Sequence, residues 1–486
     1  MIRTRDNALA TTWLALVTLA AVPLCAAEQA AGSRPNVLFV SVDDLRPVLG
    51  CYGHPTARTP HIDALAGCGM LFERAYCQVA SCNPSRTAVL TGLRPQATGV
   101  ITNASGHFRT RLPDCVTLPG CFKQHGYCCK ELGKVFHVRD AVSWSEPKWI
   151  PPAYAYPIYG TEAAERQQRT ARVTPKPDDW WGAPRWIKLD SWAAPDVPDE
   201  ALFDGQLATQ AIAELRRPHP QPFFLAVGFF RPHLPFIAPR KYFELYPPDS
   251  LELLEGTLPS GAPELAAHAS PEPRTFADLP RSGEIPIAKQ KELLRAYLAA
   301  VSYVDAQVGR VLEELDALGL RNNTLVVLWS DHGYHLGDHG LWGKYTNFET
   351  ATRSTLMVAG PSIAPGRTRG LVELVDIYPT LCQLCGVPTP DGLAGESFLP
   401  LLRNPAGSGK PAAFSQASPR GAAGSSVRTD RYRYTQWRRD GQVVAEELYD
   451  YRTSPSETVN LAATADAGLL AALRATLATQ LPAETE

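Results

Sequence analysis

The sequence predicts an α/β fold: a mostly parallel central sheet flanked by helices, followed by a small C-terminal α+β subdomain with an antiparallel sheet. Three observations carry that prediction. Asn36–Val42 is a continuous apolar run rich in β-branched residues, as a strand buried on both faces requires. Thr324–Ser330 repeats the pattern, and residues 222–227 give a third run. Between them lie apolar residues at helical spacing. The longest such pattern runs from about 291 to 318, with Leu294, Leu298, Val301, Val304, Val308 and Leu312 on one stripe. Strands alternating with helices imply a parallel sheet, and such sheets bind ligands beyond the carboxyl ends of their strands.

Taken in order, residues 1–27 read as a secretory leader. Arg3 and Arg5 form a basic start, an apolar run spans Leu14 to Val22, and Cys25-Ala26-Ala27 offers small residues for cleavage. That run is short for a bilayer, and no later stretch is long and apolar enough to cross one. The mature chain is therefore expected to be secreted or periplasmic. With 486 residues and 45% hydrophobic content it can bury a large core, and residues 28–395 are expected to form the main domain. The formal net charge of −2 offers no basic face for nucleic acid or an anionic membrane. Residues 140–200 and 246–285 are together rich in proline and tryptophan and read as long surface loops, of the kind that often wall a substrate cleft, while most of their tryptophans (Trp144, Trp149, Trp180, Trp181, Trp186, Trp192) are expected to pack onto the sheet.

Residues 403–411 look like a connector. Short strands follow at 425–428, 431–435 and 447–451, then a closing helix at about 465–477, which together define the 396–486 subdomain. Of the eleven cysteines, nine remain once Cys25 and Cys82 are set aside, so at least one thiol has no partner within the chain. Cys382 and Cys385 fall on a helical pattern and read as core residues. Cys128-Cys129 has no assigned role.

Chemistry concentrates in a few stretches. Asp43-Asp44 closes the first strand and Asp331-His332 closes the second. Three acids at neighbouring strand ends form a hard oxygen site suited to Ca2+ or Mg2+. Without a cation they would repel one another. Ser81-Cys82-Asn83-Pro84-Ser85-Arg86 opens a helix that Gly92 ends, so a thiol sits at the positive end of a helix dipole. Lys134 and His137 share the stretch Gly133-Lys134-Val135-Phe136-His137. His233 lies in Arg231-Pro232-His233-Leu234-Pro235-Phe236, and Lys344 in Trp342-Gly343-Lys344. A divalent cation with Arg86, Lys134 and Lys344 would make a pocket for a tetrahedral anion. His137 and His233 have side chains suited to proton transfer near neutrality.

Together these motifs resemble the type I sulfatases of the alkaline phosphatase superfamily, and most of all the iduronate-2-sulfatase branch. The likeness runs from Val42-Asp43-Asp44-Leu45-Arg46 through Cys-x-Pro-Ser-Arg and Leu-Thr-Gly to Glu447-Leu448-Tyr449-Asp450. The resemblance implies that Cys82 is converted to formylglycine by a modifying enzyme. It implies that Asp43, Asp44, Asp331, His332 and modified Cys82 hold one Ca2+. It also implies that Arg86, Lys134, His137, His233 and Lys344 bind the aldehyde hydrate and the sulfate of a sulfated carbohydrate. His332 stands where many sulfatases carry Asn, as it does in the iduronate branch. Two other readings stay open: a phosphodiesterase or phosphonate monoester hydrolase of the same superfamily, and a Ca2+-dependent binder of sulfated glycans whose Cys82 remains a thiol.

Overall fold

Neighbouring residues of the first strand belong to two different cores. In the computed structural model, which describes residues 34–151, 190–253, 256–267, 270–419 and 421–480, Asn36–Val42 (β1) is buried along its whole length. Its side chains alternate between two helical layers, as the period of a strand dictates. Leu38, Val40 and Val42 join a cluster built with Phe203–Leu215 and Ile287–Ala317. Val37 and Phe39 join another, built with Cys82–Thr91 and Ile377–Leu384. Each large apolar side chain so buried contributes about 1.5–3 kcal/mol. Cys382 and Cys385 lie in the second cluster, as core residues.

The remaining strands of the central sheet are Met70–Phe72 (β2), Cys128–Gly133 (β3), Phe223–Phe229 (β4), Thr324–Ser330 (β5), Leu356–Ala359 (β6) and Gly366–Thr368 (β7). Their order is β7-β2-β6-β5-β1-β4-β3. Only β6 runs against its neighbours, pairing antiparallel with both β5 and β2. Val42 sits opposite both Phe229 and Ser330, so three strands end level. Gly133 opposite Gly228 brings the end of β3 beside them.

Several expectations need correction. The third apolar run extends to Phe229, beyond the expected 227, and the long helix starts at Ile287. Residues 246–285 are not simply surface loops, because Leu251, Phe276, Leu279 and Ile285 are buried in the first core. Two of the tryptophans pack inward as expected: Trp144 is buried and meets Phe136 edge-on, and Trp192 packs on Phe243. Trp180, Trp181 and Trp186, like the leader at 1–27, lie outside the described residues.

The C-terminal region holds a four-stranded antiparallel sheet, Ala412–Ala417, Ala423–Thr429, Tyr432–Arg439 and Gln442–Asp450. The first of these strands was not foreseen. Helix Ala467–Ala478 covers the sheet with Leu470, Leu473 and Leu477 against Val427, Tyr434 and Leu448. Glu373, on the short strand Val372–Glu373 of a separate three-stranded sheet, anchors the start of this region: Arg94 at 2.7 Å, Lys410 at 2.6 Å and the Phe414 amide at 3.0 Å all meet its carboxylate.

Candidate active site

Four neighbouring parallel strands end on one rim, and each passes the chain into a polar turn. After β1 come Asp43 and Asp44. Asp44 adopts a φ of +59°, a left-handed conformation that Asp tolerates better than most residues. Its amide donates to Asp331 Oδ1 at 3.1 Å, which locks the ends of β1 and β5 together. The Tyr297 hydroxyl donates to the Asp44 carbonyl at 2.7 Å. After β3 comes Lys134, whose amide donates to the Gly228 carbonyl at 2.8 Å. A Cβ at Gly228 would lie 2.1 Å from the Lys134 carbonyl carbon, so only glycine admits this approach. After β4 come Arg231 and His233, both buried.

The helix Cys82–Thr91 meets the rim from the other side. Its cap residue Ser81 makes no capping bond of its own. Instead, Asn103 Oδ1 accepts from the Asn83 amide and the Ser81 hydroxyl, both at 2.8 Å. Gly92 ends the helix in a left-handed turn, as expected from sequence. Asn103 was not foreseen, because a cap supplied from twenty residues away leaves no local pattern.

Arg86 has no exposed surface. Its Nε donates to Asp331 Oδ2 at 2.8 Å, its Nη2 to Asp43 Oδ1 at 3.0 Å, and its Nη1 to the Val135 carbonyl at 3.1 Å. It therefore clamps two acids from two strands. Lys134 Nζ bonds Asp43 Oδ2, and Lys344 Nζ lies 2.8 and 2.9 Å from the Asp44 oxygens and 3.3 Å from Cys82 Sγ. Burial and Asp43 oppose ionisation of the Cys82 thiol, but Lys134 and Lys344 outweigh them and hold it below its ordinary value.

His332 Nδ1 donates to the Gly333 carbonyl at 2.8 Å, which leaves Nε2 facing Asp44 at 3.3 Å, Cys82 Sγ at 3.5 Å and Asp331 at 3.7 Å. Ligand atoms of Asp44, Cys82, Asp331 and His332 all lie within 4.8 Å of one another, as do those of Asp43, Asp44, Cys82 and His233. Each set offers two carboxylates, one imidazole and the Cys82 sulfur, and its carboxylate oxygens suit a hard divalent cation. Asp43, Asp44, Asp331 and Glu272 are balanced by Arg86, Lys134, Lys344 and a protonated His233, so a divalent cation would turn the pocket positive enough to receive an anion.

His137 and His233 differ in state. Burial, then the Lys134 ammonium, holds His137 well below the ordinary imidazole value, so it is neutral. Burial also opposes charge on His233, but the Glu272 and Asp44 carboxylates outweigh it and carry the group up to about 10. Glu272 lies 3.0 Å from His233 Nε2 and 3.2 Å from Lys344 Nζ. Sequence reasoning missed it, having placed it in a surface loop. Every other expected site residue lies around this cluster.

This fold and site define a class. Residues 35–387 match the Sulfatase family, and residues 337–484 match the C-terminal region of N-sulphoglucosamine sulphohydrolase. The chain belongs to the sulfatase family and is a sulfuric ester hydrolase. Among particular relatives, it is 35% identical to iduronate 2-sulfatase of Homo sapiens over 424 residues, covering 79% of this chain and 76% of that one. A solved 2-O GAG sulfatase superposes with a TM-score of 0.68 at 25% identity, covering 92% of each chain. The phosphonate monoester hydrolase of Agrobacterium radiobacter superposes at 0.72 with 24% identity, over 91% of this chain and 96% of that one, a likeness of fold alone.

Proposed function

We propose that this enzyme removes sulfate from a sulfated sugar of the glycosaminoglycan type, using formylglycine at position 82 and one Ca2+. The observation that carries this reading is the convergence of Asp43, Asp44, Asp331, His332, Cys82, Lys134 and Lys344 at one rim of the sheet. The sugar class rests on the activities of the human iduronate 2-sulfatase and the 2-O GAG sulfatase that this chain resembles.

Asp43, Asp44, Asp331 and His332 would hold the cation, which when bound supplies charge neutralisation and Lewis acidity toward the sulfate. A hydrated aldehyde at 82 supplies two hydroxyls on one carbon, one to attack sulfur and one whose deprotonation releases sulfate. The chain's own residues do the rest. Arg86 positions the acids. Lys134 and Lys344 bind sulfate oxygens. His137, held neutral, accepts a proton near residue 82. His233, held protonated, donates from Nε2 to the leaving alcohol, because its Nδ1 is engaged with the Leu234 carbonyl at 2.6 Å.

The same reading treats residues 1–27 as a leader, 28–395 as the catalytic domain and 396–486 as its C-terminal subdomain. It places the mature protein outside the cytoplasm, where it arrives after meeting a formylglycine-generating enzyme. Among the described residues no helix is long and apolar enough to cross a membrane. The test is a screen of sulfated mono- and disaccharides with modified protein, beside an aryl phosphodiester. Turnover of a sulfated sugar supports the proposal. Faster turnover of the phosphodiester with none of any sugar sulfate overturns it.

A further inference from the structure

Glu272 is not accounted for by the chemistry above, yet the fold builds a place for it. Pro271 and Pro273 stiffen its segment on both sides, and Pro273–Thr275 forms a 3-10 turn. The segment can reach the site because Gly343, at a φ of +100°, carries no side chain: a Cβ there would lie 2.5 Å from the Ser270 Cβ. Ser270 is buried against that glycine. The result sets one carboxylate oxygen 3.0 Å from His233 Nε2 and the other 3.2 Å from Lys344 Nζ.

The consequence follows from counting donors. An ammonium has three N–H groups, and Lys344 can serve Asp44, Cys82 and a third acceptor together. An imidazolium nitrogen has one. His233 Nδ1 is committed to the Leu234 carbonyl, so Nε2 is its one donor for a substrate oxygen, and Glu272 holds it. The carboxylate also spans the lysine and the histidine assigned above to sulfate and leaving group. It is a monoanion within ion-pair distance of both groups, where a sulfate ester would sit.

We propose that Glu272 is an internal competitor for the substrate anion. It occupies the ester's donors in the resting enzyme, the sulfate ester displaces it, and its return helps expel product. This inference rests on the sulfatase reading and on His233 and Lys344 as anion-side residues. Like charges repel, so the carboxylate opposes the dianionic product sulfate more than the monoanionic ester. Glu272 thus sets affinity and relieves product inhibition.

The experiment compares wild-type and Glu272→Gln enzyme by KM for an aryl sulfate and by the inhibition constant of inorganic sulfate, with sulfate binding also measured by calorimetry. Glutamine keeps the shape and removes the charge. The expected result is a fall of about three- to tenfold in KM and a larger fall in the sulfate constants, the scale of one partly exposed charge-assisted bond. Unchanged sulfate affinity overturns the proposal. So does an equal shift for ester and sulfate, which would mean the effect is steric. Should His233→Ala slow alkyl and aryl sulfates alike, the assignment of His233 as leaving-group acid fails. The calorimetric comparison would still decide whether Glu272 competes with the anion.

Discussion

Replacing Arg86 by leucine tests whether that residue holds the site together or merely touches substrate. The guanidinium is fully buried and joins Asp43 and Asp331, which directly follow separate strands and are themselves without exposed surface. Leucine would leave both carboxylates short of a charged donor. A charge-assisted hydrogen bond contributes about 1.5–3 kcal/mol, so two give about 3–6 kcal/mol. Breaking a buried ion pair by deleting one partner costs about 3–5 kcal/mol by a separate route. The two agree on roughly 4 kcal/mol. The assay is urea unfolding in chelator, so that no cation masks the loss, with Arg86→Lys as the control that keeps charge but not the fork. Leucine should lower stability by about 4 kcal/mol and lysine by less. A loss under about 1 kcal/mol with leucine would mean that Lys134, Lys344 and backbone donors satisfy the acids alone, and the positioning role would be refuted.

Asp43→Ala should abolish turnover and also erase the rise in thermal stability that Ca2+ gives the wild type, because a ligand that binds the folded state stabilises it; full activity of wild-type enzyme in excess chelator would sink the metal assignment. His233→Ala should slow alkyl sulfates by about 100-fold or more and activated aryl sulfates far less, since only a poor leaving group needs its acid; steady-state rates on both substrates decide it. Cys82→Ser offers a single hydroxyl, so it should gain one sulfo group in mass and stop after one turnover, whereas steady turnover without an adduct would exclude a covalent route. Asp305 is buried and accepts from the His61 and Ile62 amides, and burial carries its carboxyl up to about 7. The folded state therefore keeps that proton to higher pH than the unfolded state does. This group's contribution to stability falls as pH rises from about 4 to about 7. Asp305→Asn should flatten urea midpoints over that window, and an unaltered slope would contradict the assignment.

The parts of this fold that sequence reveals are those where one physical demand acts alone. Strands β1 and β5 matched their expected bounds because burial on both faces demands unbroken apolar character, and an acid ends each run. Strand β3 was missed because it satisfies mixed demands. Lys130 reaches Glu146 and Glu214, and Glu131 is buried against Lys148, so Cys128–Gly133 shows no apolar period. That omission hid why Lys134 and His137 reach the rim. Ala412–Ala417 was missed for a related reason: its pairing with Ala423–Thr429 lies mostly in the backbone, and apart from Phe414 its side chains are small or polar.

The site shows the same division. Asp43, Asp44, Asp331 and His332 could be read because each stands at the end of a legible strand, and parallel neighbours must bring those ends together. Asn103 and Glu272 could not. Each is a single polar residue on a loop, and its role is set by where a distant glycine or helix end leaves room. Gly343 shows the difference most clearly. Its need for a missing Cβ comes from Ser270, more than seventy positions earlier, and no window of sequence contains both. On the proposed reading the strand ends would hold the cation, whereas Glu272 belongs to neither cluster of candidate ligands. Glu272 touches His233 and Lys344, so on that reading it bears on both anion affinity and the state of the leaving-group acid, and substitutions that retune product release are to be sought along 270–275.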